Sequence, residues 1–339
     1  MKNIACALAL ALSLGASLAL APMTVCAQTQ KAPTITIFAG SSVGGLYDLT
    51  ARLWSRHYGR FLPGEPTIVV QNMPGAGGLS ATNHLANLAP KDGTALGIVN
   101  ASAVLLALFG DPSARFDPRQ FAWIGGRSME TAVCAFWHES APRTFDDLRT
   151  AETILGSSGP GARSYTHAIM FNALLGTKFR NVSGYPGGSE MSIAMERREI
   201  DGECGWSWGS LKSRTAQWLR DGKLRILVQS AMRKNLDLPN VPMALDLAPD
   251  PETRSVVEAL LTDTLLAWPL IGPPGMPDAT VSRLRTAFNA MMSDPALLKD
   301  AEKSQLDVDV VRGEEMQAIV SKLFDLPPPL IARAKAIFK

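Results

Sequence analysis

The sequence has little excess charge of either sign and few cysteines. Among its 339 residues, 33 Lys and Arg stand against 31 Asp and Glu, with 4 Cys. The near balance of charge offers no basic surface, so no nucleic-acid partner is expected. Four cysteines are too few for a disulfide scaffold, and 46% hydrophobic residues exclude a disordered chain. The composition is that of a globular protein with one large domain or two of ordinary size.

Apolar runs of membrane-spanning length, about 18 residues, are missing after the N-terminus. Lys2 precedes an uncharged, Leu- and Ala-rich run, and Val25-Cys26-Ala27 then fits a small-x-Ala cleavage site. This pattern predicts a signal peptide over residues 1–27, cleaved near Ala27, and an exported, soluble mature chain. The alternative is a lipoprotein acylated at Cys26, although Met23-Thr24-Val25 lacks the small-residue run usual before such a cysteine.

The histidines and cysteines lack metal-binding spacing, because no H-x-x-x-H, H-E-x-x-H or C-x-x-C string occurs. No metal and no cofactor are therefore predicted. Cys134 and Cys204 would remain in the mature chain, in an oxidising compartment. They could form a disulfide if their Cα atoms lie within about 7 Å, or stay as two buried thiols.

From Thr34 onward, short apolar runs alternate with amphipathic stretches, which is the pattern of βαβ units. We predict helices over about 46–58, 79–88, 163–175, 189–198 and 211–219. The units exceed what one sheet usually holds, so the predicted fold is two α/β lobes, each a mostly parallel sheet flanked by helices. Ligands in such lobes bind at the carboxyl ends of strands, which predicts a cleft.

Four strand-to-helix junctions are rich in glycine, and we call them the first to fourth glycine loops: residues 40–45, 74–78, 156–161 and 184–188. Each would expose backbone N–H groups at a helix N-terminus, where the unpaired donors and the helix dipole attract anions. Any one of them could be only a tight turn. Four together favour a cleft that binds something small and anionic.

Two strings suggest enzymes but lack their context. Gly75-x-Gly77-x-x-Ser80 approaches a dinucleotide fingerprint, yet Ser replaces the third glycine. Gly205-Trp206-Ser207-Trp208-Gly209 matches a hydrolase nucleophile elbow, but all four histidines precede Ser207, whereas an elbow needs its histidine downstream. We expect no enzymatic activity and keep a secreted α/β hydrolase as an alternative.

Several motifs, in order along the chain, resemble one known family. Val43-Gly44-Gly45-x-x-Asp48-x-x-Ala51-Arg52 resembles the opening motif of the extracytoplasmic solute receptors of tripartite tricarboxylate transporters, the Bug family. Asn72-x-Pro74-Gly75-Ala76-Gly77-Gly78 resembles the second motif, and Lys91-Asp92-Gly93-Thr94-x-Leu96 the one after it. Tyr185-Pro186-Gly187 and the run from Ile271 to Pro277 resemble later ones. Departures such as Ser41-Ser42-Val43 concern the ligand rather than the class.

The resemblance implies a periplasmic, two-lobed (venus flytrap) receptor that closes on a small carboxylate and delivers it to the membrane subunits of a tripartite transporter. The alternative partner is a sensor kinase to which the receptor presents its ligand. The resemblance also implies that the chain crosses between lobes and returns: residues 28–125 and 233–339 form lobe 1, and 126–232 form lobe 2. We expect a monomer.

Candidate ligand-binding residues come from the glycine loops, the helix starts after them and the nearby aromatic residues. They are Ser41, Ser42, Val43, Gly44, Gly45, Asp48, Asn72, Gly75, Ala76, Gly77, Gly78, Ser157, Ser158, Gly161, Arg163, Ser164, Tyr185, Gly187 and Trp206. Arg163 could pair with a second carboxylate of the ligand or point to solvent. Tyr185, Trp206 and Trp208 could form an apolar wall. Asp48 and Arg52 could be a surface i,i+4 pair, although Asp48 closely follows the first glycine loop.

Overall fold

The computed structural model describes residues 33–127, 130–304, 306 and 308–338. The predicted signal peptide and its cleavage site lie outside these residues. No helix in this part of the chain is both long and apolar enough to cross a membrane.

The described residues form eleven strands and thirteen α-helices. The strands are β1 (Ile35–Ala39), β2 (Ile68–Asn72), β3 (Ala95–Ile98), β4 (Ala122–Arg127), β5 (Ala132–Trp137), β6 (Thr153–Ser157), β7 (Phe179–Ser183), β8 (Gly202–Ser207), β9 (Leu224–Ser230), β10 (Leu270–Gly272) and β11 (Val310–Arg312). The helices are α1 (Leu46–His57), α2 (Leu79–Asn87), α3 (Ala103–Leu108), α4 (Asp147–Thr150), α5 (Arg163–Leu175), α6 (Gly188–Glu196), α7 (Trp208–Arg214), α8 (Ala216–Arg220), α9 (Pro251–Leu260), α10 (Asp278–Met292), α11 (Pro295–Lys303), α12 (Gly313–Phe324) and α13 (Pro328–Ala336).

The strands form two sheets, which confirms the predicted two-lobed α/β fold. The first sheet has the order β11-β4-β10-β3-β1-β2 and the second β7-β6-β8-β5-β9. Three neighbours in each sheet are parallel, β2-β1-β3 and β7-β6-β8. The remaining pairs are antiparallel, so each sheet is mixed rather than mostly parallel. Parallel neighbours need a crossover connection, usually a helix. Helices α1 and α2 lie in the connections between β1, β2 and β3, and α5 and α6 in those between β6, β7 and β8.

Buried side chains on one face of each amphipathic helix hold it to its sheet. In α1, the buried residues include Leu46, Leu53 and Trp54, and the Trp54 ring meets Phe288 of α10 edge to face at 5.0 Å between centroids. Helix α9 begins as the sequence indicates: Asp250 accepts the N–H of Thr253, and Pro251 occupies the first turn. The remaining residues of α9 are exposed, whereas Arg56 is the single exposed residue of α1, so the first glycine loop adjoins a helix that is packed on most sides.

The second sheet is covalently cross-linked. Cys134 of β5 and Cys204 of β8 form a disulfide between adjacent antiparallel strands. The sequence allows either a disulfide or two buried thiols at these positions, and the structure contains the disulfide. Both cysteines are fully buried.

Candidate functional site

A cavity lies where the loops of the two lobes meet. Its volume is about 100 Å³, counted as the space that the centres of water molecules can occupy. One water molecule needs about 10–15 Å³ of such space. The cavity therefore has room for a small organic molecule. All four glycine loops contribute to its lining or to the contacts that enclose it.

The start of α1 is held by a buried carboxylate. Asp48 is 1% exposed and accepts hydrogen bonds from Gly44 N (2.9 Å), Arg52 Nε (3.0 Å) and Asn72 Nδ2 (2.9 Å). Asn72 Nδ2 also donates to the carbonyl of Ser41 (3.1 Å). Burial acts to raise the pKa of Asp48, but these donors outweigh it and hold the pKa below its usual value. Asp48 and Asn72 thus fix the shape of the first glycine loop, which is more than a surface ion pair does.

The second and third glycine loops touch across the lobes. Gly77 has φ 67°, and a Cβ atom there would lie 2.3 Å from the amide nitrogen of Ala162. A side chain at Gly77 would therefore push the lobes apart. The first loop is bridged to the second lobe as well, because Ser42 Oγ donates to Glu190 Oε2 of α6 at 3.1 Å.

Arg163, at the start of α5, lines the cavity but is already paired. Its Nε lies 3.1 Å from Asp263 Oδ2, and the two side chains are 7% and 1% exposed. Burial acts to raise the pKa of Asp263, but the Arg163 charge and the contact with His167 more than offset it, so the pKa lies below its usual value. Burial also lowers the pKa of His167. Of the two alternatives left open for Arg163, the solvent-facing one is wrong, because the side chain is buried against Asp263.

Two charged residues at the cavity come from β8 and α7. Glu203 is 5% exposed, and burial, only partly offset by the Arg214 charge, raises its pKa to about 8. Partly buried Arg214 donates to Ser189 Oγ (3.1 Å) and Ser210 Oγ (3.4 Å). Neither residue is among the binding residues predicted from the sequence. Glu203 could have been predicted, because it is an acidic residue inside the largely apolar run Gly202–Ser207. The sequence around Arg214 has no feature that indicates a binding role.

Aromatic side chains form part of the wall, but not the predicted set. Trp206 lines the cavity, and so does Trp268, whose ring lies 4.6 Å from that of Tyr47. Tyr185 instead packs with the core of the second lobe. Trp208 donates its Nε1 hydrogen to Asp237 at 2.9 Å.

The structure brings part of the predicted set to the cavity wall. The predicted residues on the wall are Ser41, Gly45, Gly77, Ser158, Arg163, Ser164, Gly187 and Trp206. The predicted residues that do not line the wall are Ser42, Val43, Gly44, Asp48, Asn72, Gly75, Ala76, Gly78, Ser157, Gly161 and Tyr185. Wall residues that the sequence analysis did not propose include Leu46, Tyr47, Asn100, Met191, Glu203, Ser210, Arg214 and Trp268.

Three helices reach the cavity with no side-chain cap. The N-cap residues of α1, α5 and α6 are Gly45, Ala162 and Gly187, which have no side-chain acceptor, and all three line the cavity. A fourth helix at the wall, α7, is capped by Ser207, whose hydroxyl accepts the N–H of Ser210. Free N–H groups and three dipole ends therefore give the cavity a preference for anions.

Comparisons with known proteins agree with this fold. The chain resembles a Cupriavidus necator protein described as "UPF0065 protein in gbd 5'region", 24% identical over 91% of this chain and 93% of the relative. The solved structure of the periplasmic binding protein BugD is similar in fold, with TM-score 0.70, 19% identity, and 90% of this chain and 98% of that chain covered. MatC from Rhodopseudomonas palustris, solved with bound malate, gives TM-score 0.69, 20% identity and coverage of 91% and 99%.

A family model assigns the chain. The model described as "Tripartite tricarboxylate transporter family receptor" matches residues 64–325, which is most of the sequence. The resemblance seen in the sequence motifs is thereby confirmed. The protein belongs to this receptor family, the Bug family of periplasmic solute-binding proteins.

Proposed function

We propose that this receptor captures a small carboxylate between its lobes and delivers it to the membrane subunits of a tripartite transporter. The observation that carries the proposal is the convergence of three uncapped helix N-termini on one cavity. A carboxylate accepts hydrogen bonds from such N–H groups without needing a dedicated cation. The malate in MatC, a protein of similar fold, supports this ligand class.

Contacts across the cavity support capture by closure. Gly77 against Ala162, and Ser42 with Glu190, join loops of the first lobe to loops of the second. A ligand held between these loops would add contacts to both lobes and favour the closed arrangement. We propose the lobe limits predicted above, 28–125 with 233–339 and 126–232, as the parts that move relative to each other.

A receptor rather than an enzyme is also proposed. Ser207, the serine of the elbow-like string, accepts the N–H of Ser210 at 3.0 Å and so caps α7. That hydroxyl has a structural role that needs no catalytic partner. Periplasmic export with cleavage near Ala27, the transporter as partner and the monomeric state complete the proposal.

A thermal-shift screen of the purified mature protein tests the ligand class. Mono-, di- and tricarboxylates are compared with their uncharged amides, which have the same shape without the negative charge. At 100 times the dissociation constant, a ligand stabilises the folded protein by about 2.7 kcal/mol, enough for a clear rise in Tm. We expect a rise with at least one carboxylate and none with its amide. No rise with any carboxylate, or equal rises with acid and amide, would contradict the proposal.

A further inference from the structure

Glu203 and Arg214 occupy the second-lobe wall of the cavity, and the first of them lacks partners. Glu203 is buried on β8, its Oε2 atom has no hydrogen-bond partner, and no hydrogen bond found in the described chain reaches its carboxyl group. A buried polar group without a partner costs free energy and calls for an explanation. A ligand in the adjoining cavity would supply the missing partner.

Arg214 differs from Arg163 in the charge of its hydrogen-bond partners. Arg163 lies against the Asp263 carboxylate, whereas Arg214 donates only to the neutral hydroxyls of Ser189 and Ser210 in the described residues. A Cβ atom added at Gly188 would lie 2.8 Å from Arg214 Nη1, so the guanidinium lies at the start of α6. A guanidinium has five N–H donors in a planar fork that matches a carboxylate.

We propose that Arg214, the carboxylic acid of Glu203 and the N-terminus of α6 together form the binding site for a second carboxylate of the ligand. The receptor then selects acids with two carboxylates over acids with one. This inference rests on the proposed function, because it places one carboxylate of the same ligand at the start of α1. It assigns the distal carboxylate to Arg214 rather than to Arg163.

The protonation of Glu203 fits this role. Its pKa of about 8 leaves it mostly neutral at pH 7, where it can donate a hydrogen bond to an anion. Among the charged groups on neighbouring elements, Arg214 on α7 acts on Glu203, Glu190 on α6 acts on Arg214, and Arg163 on α5 is engaged by Asp263. An anion at Arg214 would offset the positive charge that favours ionised Glu203. Binding therefore keeps the proton on Glu203, and affinity falls when pH rises above about 8.

Calorimetric titration of the mature protein with a dicarboxylate and with the monocarboxylate of equal chain length tests the proposal. Both are fully ionised between pH 7 and 9.5, so the ligand itself does not titrate. We expect Arg214→Met to weaken dicarboxylate binding roughly 10- to 100-fold and to change monocarboxylate binding less than about threefold. Arg220→Met removes the same charge from the exposed end of α8 and is the matched control. Arg214→Lys keeps the charge and supplies the test should Arg214→Met fail to fold.

The pH profile separates a neutral from an ionised Glu203. For the unmodified protein, dicarboxylate affinity should fall above pH 8 by up to about tenfold per pH unit. In Glu203→Gln, which carries a permanent neutral donor, that dependence should vanish. Two results would overturn the proposal while leaving carboxylate capture intact. One is equal affinity for both acids together with no effect of Arg214→Met on either. The other is a dicarboxylate affinity that rises with pH. Absence of binding by either acid would overturn both.

Discussion

The two lobes meet the same cavity with different chemistry. The first lobe presents main chain: the glycine-rich turns before α1 and α2, whose shape is fixed from behind by Asp48 and Asn72. The second lobe also presents main chain, at the starts of α5 and α6, and adds charged side chains, among them Arg163 and Glu203. Main-chain N–H groups recognise a carboxylate whatever the rest of the ligand is, while charged side chains can distinguish one ligand from another. We therefore expect the main-chain groups to hold one carboxylate of the ligand, and the charged side chains of the second lobe to discriminate between ligands.

The largest expected effect on stability comes from breaking the ion pair between Arg163 and Asp263. Arg163→Met leaves Asp263 buried without its cation, which should destabilise the protein by about 3–5 kcal/mol. Adding Asp263→Asn removes the stranded charge and should recover part of the loss. Urea denaturation of both single variants and the double variant measures the coupling. Additive losses would mean that Arg163 and Asp263 do not stabilise each other and would contradict this account of the pair.

The disulfide gives a second test confined to the second lobe. Cys134 and Cys204 are 70 positions apart, and a loop of that size lowers the entropy of the unfolded chain enough to stabilise the fold by about 4 kcal/mol. We expect Cys134→Ala with Cys204→Ala to lose stability of that order in urea denaturation. The unmodified protein under strong reductant should lose a similar amount, and a loss well below about 1 kcal/mol would show that the bridge contributes little.

Asp48 tests the first lobe in the same way. Asp48→Ala leaves Gly44 N, Arg52 Nε and Asn72 Nδ2 without their acceptor, which should cost about 2–3 kcal/mol at pH 7. Because the folded pKa of Asp48 lies below its unfolded value, its contribution is fully present above about pH 4. That contribution is lost as pH falls through the folded pKa. The difference between the two proteins in urea denaturation should therefore shrink at pH 3, and a difference independent of pH would contradict this role.

The smallest effect on stability comes from the contact between the loops of the two lobes. Gly77 (φ 67°) and Gly176 (φ 74°) share a left-handed conformation, but a Cβ atom at Gly176 has nothing within 4 Å. Each substitution by Ala should cost about 1–2 kcal/mol from the backbone alone. Only Gly77→Ala should also weaken ligand binding, because it separates the loops at Ala162. Calorimetric titration that finds both variants equally affected would count against closure there.

The sequence predicts the local features of the site in both lobes better than the contacts that join distant residues. Glycine loops and helix starts depend on neighbouring residues, so helix α5 was predicted over 163–175 and begins at Arg163. The pairing of Arg163 with Asp263 joins residues 100 positions apart, and no local pattern predicts it. Residues 211–219 were predicted as one helix, but Ser207 caps α7 earlier and the chain breaks at Thr215 before α8.

The most direct test of the account is a crystal structure of the mature protein with the carboxylate that gives the largest thermal shift. The account predicts ligand density between the start of α1, at Gly45 and Tyr47, and the start of α6, at Gly187 and Gly188. Both lobes should contact it. Density confined to the surface of one lobe, or an empty cavity with ligand bound elsewhere, would contradict capture between the lobes.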